Sequence, residues 1–439
     1  MNYIDALDYI STTHRFGMKL GFERIEKLLE LLDNPHKNLN IIHVAGTNGK
    51  GSTCSFISEI LKESGYKIGL YTSPFLESFT ERIRVNKENI DEDKVAEITS
   101  IIKEKIEIMK LEGFDSPTEF EIVTAMAFYH FNYIKVDYVV LEVGLGGRFD
   151  ATNVIEDSLV SVITPISIDH VNVLGDSLDK IAYEKGGIIK ENGTVILYKQ
   201  TEIATNIIKD ICKDKNAKLI EVDFDEIKII KSDIESQIFD YKNYKNLEIS
   251  LIGNHQIKNS IVAINCIENL FSEELNKVAN TMEEKMILSF TQSMFENALR
   301  LGLKNTTWAG RIEKLNENII IDGAHNEDGA KSLKDILDKN FEGKKLNLLI
   351  GMLEDKDINS VIEILVSNFQ NIITTNVNNS RNIDSKDLSD MIKKYNESVI
   401  SISNLDDALE YALNNTKEDE ILICCGSLYL VGEIRSKLK

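Results

Sequence analysis

Short apolar runs alternate with longer stretches whose apolar residues recur at spacings of three and four, and this alternation runs through most of the 439 residues. The runs 41–44, 68–71, 138–143, 160–164 and 195–198 read as buried strands, and 51–64, 92–111 and 118–133 as amphipathic helices. Strands separated by helices imply parallel pairing with helices on both faces, because a parallel neighbour can be reached only through a long crossover. Residues 220–252 are strand-like and richly charged, which suits an antiparallel extension. After Leu303 a second series begins, with strands at 319–321, 346–350, 372–375, 399–402 and 421–424 and a helix starting near Glu327. It reads as a smaller open Rossmann-type sheet. Periodicity lapses at 302–307, which places domains at 1–300 and 305–439.

Two domains also suit a chain longer than one apolar core usually serves. With 43% apolar and 28% charged residues the composition is that of a globular protein. No apolar run approaches a membrane span, and the first twenty residues lack a basic-then-apolar leader, so a cytoplasmic location and no membrane partner are expected. The five cysteines, Cys54, Cys212, Cys266, Cys424 and Cys425, lack paired metal-ligand spacing. A net charge of −21 argues against a nucleic-acid partner. It also means that any site for an anion must gather positive charge locally, from Lys50, Arg82, Arg84, Arg148, Lys185 and Arg311.

The strongest chemical signal is IIHVAGTNGKGST at 41–53, an apolar strand, a glycine-rich turn and a helix start. Gly46, Gly49 and Gly51 let the backbone approach anionic oxygens, with Thr47, Asn48 and Ser52 filling the loop. The new helix offers its positive end, and Lys50 adds a point charge for terminal phosphates. The loop departs from G-x-x-x-x-G-K-[ST], since Gly46 lies four residues before Lys50 and a glycine separates Lys50 from Ser52. It binds a nucleoside triphosphate on this reading. Ser73, Glu142 and His170 stand near strand ends, where open α/β sheets line their ligand crevice. A carboxylate ending an apolar strand, as Glu142 does, is costly unless paired or on a metal. Taken alone, Ser73 reads first as an N-cap or turn residue, and His170 equally as a structural histidine. The GLGG at 144–147 lacks the third glycine of a dinucleotide loop and reads as a close backbone approach beside Glu142, fixed by Asp150 and Asn153. Taken alone, Lys185 reads as a solvent-facing helix lysine.

GTNGKGS resembles the phosphate loop of the Mur-ligase superfamily, and in particular of folylpolyglutamate synthases and dihydrofolate synthases. YTSPFL (71–76), ERIRVN (81–86), LEVGLGGRFDATN (141–153), IDHVNVLG (168–175), EKGGIIK (184–190), GNHQ (253–256), WAGR (308–311), DGAHN (322–326) and GSLYLVGE (426–433) resemble that family's blocks, in its order. The resemblance implies a P-loop ATPase domain with a mainly parallel sheet, carrying the phosphate loop and folate site, then a Rossmann-like glutamate-ligase domain. It implies ATP as co-substrate, Mg²⁺ on Ser73, Glu142 and His170, and a carbamylated Lys185 helping to hold a second metal. Lys50, Glu142, His170 and Lys185 become the catalytic set. Asn254, Arg311, Asp322 and His325 become nucleotide contacts, with domain closure as part of catalysis, while Asn326 reads equally as a helix cap. Phe75 and Phe120 could stack on a pterin, with Arg82 on the segment 75–84, expected to be a mobile loop after the second strand. The segment 14–25 resembles the folate-side N-terminal segment.

The implied reaction is ATP-dependent addition of L-glutamate to a folate, and to dihydropteroate, through an acyl phosphate, by a monomer. A monofunctional folylpolyglutamate synthase and a Mur-type peptide ligase stay as alternatives. The latter is disfavoured because its relatives usually carry a UDP-binding domain ahead of the phosphate loop. From another class, a nucleotide-binding regulatory module would have no need of Lys50, Glu142, His170, Lys185, Arg311 and Asp322 together.

Overall fold

The computed structural model describes residues 1–13, 21–276 and 282–439. The chain divides into two compact units. Met1–Phe75, Phe79–Glu226 and Lys258–Thr306 form the first, and Leu76–Ser78, Ile227–Ile257 and Thr307–Lys439 the second.

The first unit holds an eight-stranded sheet made of β1 (Ile41–Ala45), β2 (Ile68–Tyr71), β3 (Ile83–Val85), β4 (Glu88–Asn89), β5 (Tyr138–Glu142), β6 (Val160–Ile163), β7 (Thr194–Tyr198) and β8 (Lys218–Val222). Its order is β4-β3-β2-β5-β1-β6-β7-β8. The six strands from β2 to β8 in that order are parallel, and the β3–β4 pair is an antiparallel edge. Every residue of β1 is buried, as a central strand covered on both faces requires. One core packs Ile25, Leu28, Ile102, Met126 and Phe128 against Ile41, Val139 and Leu141. Another packs Ile181, Ala204 and Ile208 against Ile163, Val195 and Leu197. The register sets Val44 beside Glu142, which brings that carboxylate next to the exit of β1.

The second unit holds two sheets. An antiparallel one is formed by β9 (Ile227–Ser232), β10 (Gln237–Tyr241) and β11 (Tyr244–Ile249). A six-stranded one contains β12 (Glu313–Asn316), β13 (Ile319–Ile321), β14 (Lys345–Ile350), β15 (Asn371–Thr374), β16 (Val399–Ser401) and β17 (Glu420–Cys425) in the order β12-β13-β17-β14-β15-β16. It is parallel apart from β12.

Two expectations change, and the joint near 302–307 stands. Residues 227–257, placed by sequence in the first domain, group with the second unit. Ile252 is buried in the same core as Leu333, Ile336 and Leu346, with Ile234 packed against it, so apolar burial overrides nearness along the chain. The helix Met282–Asn305 runs through 302, and the units divide between Thr306 and Thr307, within the expected 302–307 joint. Gly302 sits against Ile60 of the helix Lys50–Glu63, where a Cβ would lie 2.5 Å from the Ile60 Cα. The segment 75–84 is a short 3-10 turn, Phe79–Arg82, followed by β3, rather than an open loop.

Candidate active site

The glycine loop expected to bind phosphate leaves β1 at Gly46 and enters the helix Lys50–Glu63 at Gly49. Gly49 has φ 81°, and a Cβ there would lie 2.7 Å from the Asn259 side chain; a Cβ on Gly46 would overlap the Thr164 hydroxyl. Both positions therefore require glycine. The loop is braced by the segment after β6. The Thr47 and Asn48 N–H groups donate to the Pro165 carbonyl at 2.7 and 3.3 Å, and the Thr47 hydroxyl exchanges bonds with the Ser167 backbone at 3.1 Å. Those two N–H groups are thus committed to the scaffold. The N–H groups from Gly49 onward, in the first helical turn, are the ones placed to receive an anion.

Two lysines converge on one carbonyl of this loop. The Lys50 ammonium donates to Gly46 O at 3.1 Å and Thr47 O at 3.2 Å, and Lys185 donates to Gly46 O at 2.8 Å. Lys185 lies in the helix Leu178–Gly186 but is buried, not solvent-facing, with only 4% of its surface accessible. Burial, reinforced by the Lys50 charge and opposed by Asp169 and Asp150, lowers its amine to about 7. Sequence periodicity could not reveal this, since the helix buries only one stripe and Lys185 falls on it beside Ile181 and Ala182.

Glu142 ends β5 and is buried, and its Oε2 accepts the Ser73 N–H at 3.4 Å, so these two proposed ligands are brought together. His170 adopts a left-handed conformation, φ 51° and ψ 41°, just before the short helix Val171–Leu174, with its ring 3.8 Å from the Asp169 carboxylate. Asp169 therefore links His170 to the field felt by Lys185; sequence reading passed over it, although it adjoins His170 in IDHV. Among the described residues no group of three or more His, Cys, Asp and Glu is placed to hold a metal. A divalent cation here would need hydroxyl, phosphate or carbamate oxygens beside Glu142, a donor set that suits Mg²⁺.

The glycine loop 144–147 is held by Asp150, whose carboxylate accepts the Leu145 N–H at 2.9 Å, the Thr152 N–H at 3.0 Å and the Thr152 hydroxyl at 2.5 Å. Burial still raises its pKa against those bonds. The Thr152 hydroxyl in turn accepts from His43 Nε2 at 2.9 Å. Asn153 donates to the Arg148 and Gly187 carbonyls, both at 3.1 Å.

Arg82 joins Phe75 and Glu119, while Phe120 packs elsewhere. The Arg82 guanidinium lies 5.2 Å from the Phe75 ring centre and 5.7 Å from that of Phe79, and pairs with Glu119 at 3.4 Å. Phe120 leans on Gly144, where a Cβ would overlap its ring, and on Tyr71 at 6.1 Å. Residues 14–20 of the N-terminal segment lie outside the described residues.

In the second unit Asp322 is buried, and burial raises its pKa while the Arg311 charge opposes. Its Oδ2 accepts the Ile312 N–H at 2.9 Å and its Oδ1 the Ala324 N–H at 2.8 Å, which clasps the Arg311 loop. His325 Nδ1 donates to Gly323 O at 2.7 Å. Asn326 accepts the Gly329 N–H at 2.9 Å and caps the helix Glu327–Asn340. Asn254, exposed, opens the helix Asn254–Asn276. Asn259 of that helix lies against Gly49 of the glycine loop, a neighbour the sequence did not signal.

The profile of the Mur ligase middle domain matches residues 44–267, and that of the dihydrofolate synthetase C-terminal domain matches 306–438. The dihydrofolate synthase/folylpolyglutamate synthase of Bacillus subtilis is 35% identical over 100% of this chain and 99% of that protein. The folylpolyglutamate synthase structure from Thermotoga maritima has a TM-score of 0.82 at 36% identity, covering 99% of this chain and 96% of that one. That of Mycobacterium tuberculosis, solved with ADP and AMPPCP, has a TM-score of 0.85 at 27% identity, covering 100% and 99%. Among the described residues no helix is long and apolar enough to cross a membrane. A glycine loop braced under two lysines, a carboxylate at the adjacent strand end and matches along nearly the whole length lead to one assignment: the chain belongs to the folylpolyglutamate synthase/dihydrofolate synthase family of Mur ligases.

Proposed function

We propose that the protein is an ATP-dependent ligase that adds L-glutamate to a folate, and to dihydropteroate, through an acyl phosphate. The observation that carries this reading is the convergence of Lys50 and Lys185 on the Gly46 carbonyl, beside the buried carboxylate of Glu142. A carboxylate oxygen is a poor leaving group. Its attack on the terminal phosphorus of ATP releases ADP and makes an acyl phosphate, which the glutamate amine attacks to expel phosphate. Lys50 and the N–H groups from Gly49 onward face the charge that builds on the transferring phosphoryl group. Glu142, Ser73 and His170 would hold Mg²⁺, which neutralises phosphate charge when bound. The Lys185 amine, neutral above about pH 7, can combine with CO₂ to give a carbamate and a proton, and so bring an anion where an ordinary lysine brings a cation. Asn254, Arg311, Asp322 and His325 keep the nucleotide-binding roles implied by the resemblance, and Phe75, Arg82 and Phe120 the folate-side ones.

The test is ADP release in the presence of glutamate with tetrahydrofolate or with dihydropteroate as acceptor, and a UDP-muramyl peptide as control. Turnover with both pteridines is expected. Turnover with tetrahydrofolate alone would restrict the enzyme to polyglutamylation, and turnover only with the UDP substrate would overturn the reading. Glu142→Gln preserves shape but removes the charge, and is expected to raise the Mg²⁺ concentration for half-maximal rate by about tenfold or more. An unchanged metal dependence would remove Glu142 from the ligand set.

A further inference from the structure

The segment that follows β6 forms a strut beside the glycine loop, and both lie in the first unit. The Thr164 N–H donates to the Ala45 carbonyl at 2.8 Å, and the Thr164 hydroxyl fills the space that a Cβ on Gly46 would need. The Pro165 carbonyl takes the Thr47 and Asn48 N–H groups. Ser167 exchanges bonds with the Thr47 hydroxyl, and its own hydroxyl accepts from the Asn48 side chain at 3.4 Å. Ile166, between these two residues, is buried in the core that contains Ala45, Val143 and Leu174. Its N–H donates to Gln200 Oε1 at 2.8 Å. Gln200 stands two residues beyond β7, just ahead of the helix Glu202–Asp214. The Ile166 donor identifies which amide atom is the oxygen, and Gln200 Nε2 is then buried with no partner among the described residues. A buried donor without an acceptor costs about 1–3 kcal/mol. Leucine would avoid that cost at similar size, so what glutamine supplies at this position is its acceptor.

We propose that Gln200 is a positioning residue for the glycine loop. By holding Ile166 it fixes the strut to which Thr47 and Asn48 are bonded, and so sets where the N–H groups from Gly49 onward and the Lys50 ammonium stand. It does not need to touch a nucleotide. A loop with glycine at 46, 49 and 51 has little stiffness of its own, so its shape depends on what braces it from outside. A loop braced in advance loses little conformational freedom when an anion arrives, which strengthens binding without any new contact. The same strut continues to Asp169 and His170. The nucleotide consequence rests on the ligase reading above; the brace itself does not.

Amide hydrogen exchange over 46–50 and 166–167, measured on the full chain without nucleotide, tests the brace, and ADP affinity by calorimetry tests its consequence. Gln200→Leu removes the acceptor at similar size. It is expected to raise exchange in those two segments by about tenfold while β5 and β7 stay protected, and to weaken ADP binding by about tenfold. Gln200→Glu keeps an acceptor for the Ile166 N–H and loses Nε2, so its exchange should stay parental. Gln200→Asn withdraws the acceptor by one methylene and carries the test if Gln200→Leu does not fold. Parental exchange in the folded leucine or asparagine variant overturns the proposal, and so does raised exchange with parental ADP affinity. Exchange raised as much in Gln200→Glu as in Gln200→Leu also overturns it, because the role would then belong to the donor. A parent chain that does not bind ADP would instead count against the ligase reading, with the exchange result still deciding the brace.

Discussion

Lys185→Ala should lose most ligase activity, and a high concentration of acetate should restore part of it by occupying the vacated space. Lys185→Glu should recover little, because glutamate is shorter than a carbamylated lysine. A surface lysine would leave the alanine variant near parental, since such changes usually shift stability by within about 0.5 kcal/mol. Burial at 4% accessibility removes that alternative on geometric grounds. The pH dependence has a definite sign. The folded-state amine titrates near 7 while an unfolded lysine titrates at its ordinary 10.5, so across that window the unfolded chain binds more protons. The contribution of Lys185 to metal-free stability therefore improves as pH rises from about 7 toward 10.5, at about 1.4 kcal/mol per unit at most, and alanine abolishes that slope. Denaturant midpoints of both proteins at pH 7 and pH 9 measure it. Carbamate formation needs the neutral amine, so parental activity should fall as pH drops through about 7 and should respond to bicarbonate. A fully active alanine variant would end the carbamate hypothesis.

Lys50→Ala should reduce ATP turnover by about a hundredfold to a thousandfold, the scale on which one preorganised charge at a transition state counts. The fold should survive, because among the described residues the Lys50 ammonium bonds only to carbonyls of its own loop, Gly46 and Thr47. A second effect follows from the shared carbonyl. Lys50 is one of the causes that lower the Lys185 amine, so its removal should move the Lys185 titration upward from about 7 and shift the bicarbonate dependence to higher pH. Rate against pH in the variant, together with ADP affinity by calorimetry, checks both. Normal ADP formation in Lys50→Ala would contradict the phosphate role.

Local pattern carried far because central parallel strands are buried on both faces. The run IIHVA must be apolar whatever its neighbours, and it forms β1 with all five residues buried. The glycine loop and its lysine are likewise local. Gly46 and Gly49 are required by backbone shape within a few residues, though the atoms that exclude a side chain, from Thr164 and Asn259, are distant in sequence. Pairs across the sheet, such as Glu142 beside Val44, were not legible, because register joins strands that are distant along the chain.

The sequence by itself determined the α/β class, the strand and helix positions within a few residues, the glycine loop between β1 and its helix, and the family. Each of these depends on periodicity or on contiguous residues. Tertiary structure decided the rest. It buried Lys185 and so changed its amine, and it committed the Thr47 and Asn48 N–H groups to Pro165. It also moved residues 227–257 and the tripeptide Leu76–Ser78 into the second unit. The physical reason is the same in each case. Desolvation, hydrogen-bond partnership and core membership are properties of what surrounds a residue in space, and no count along the chain contains them.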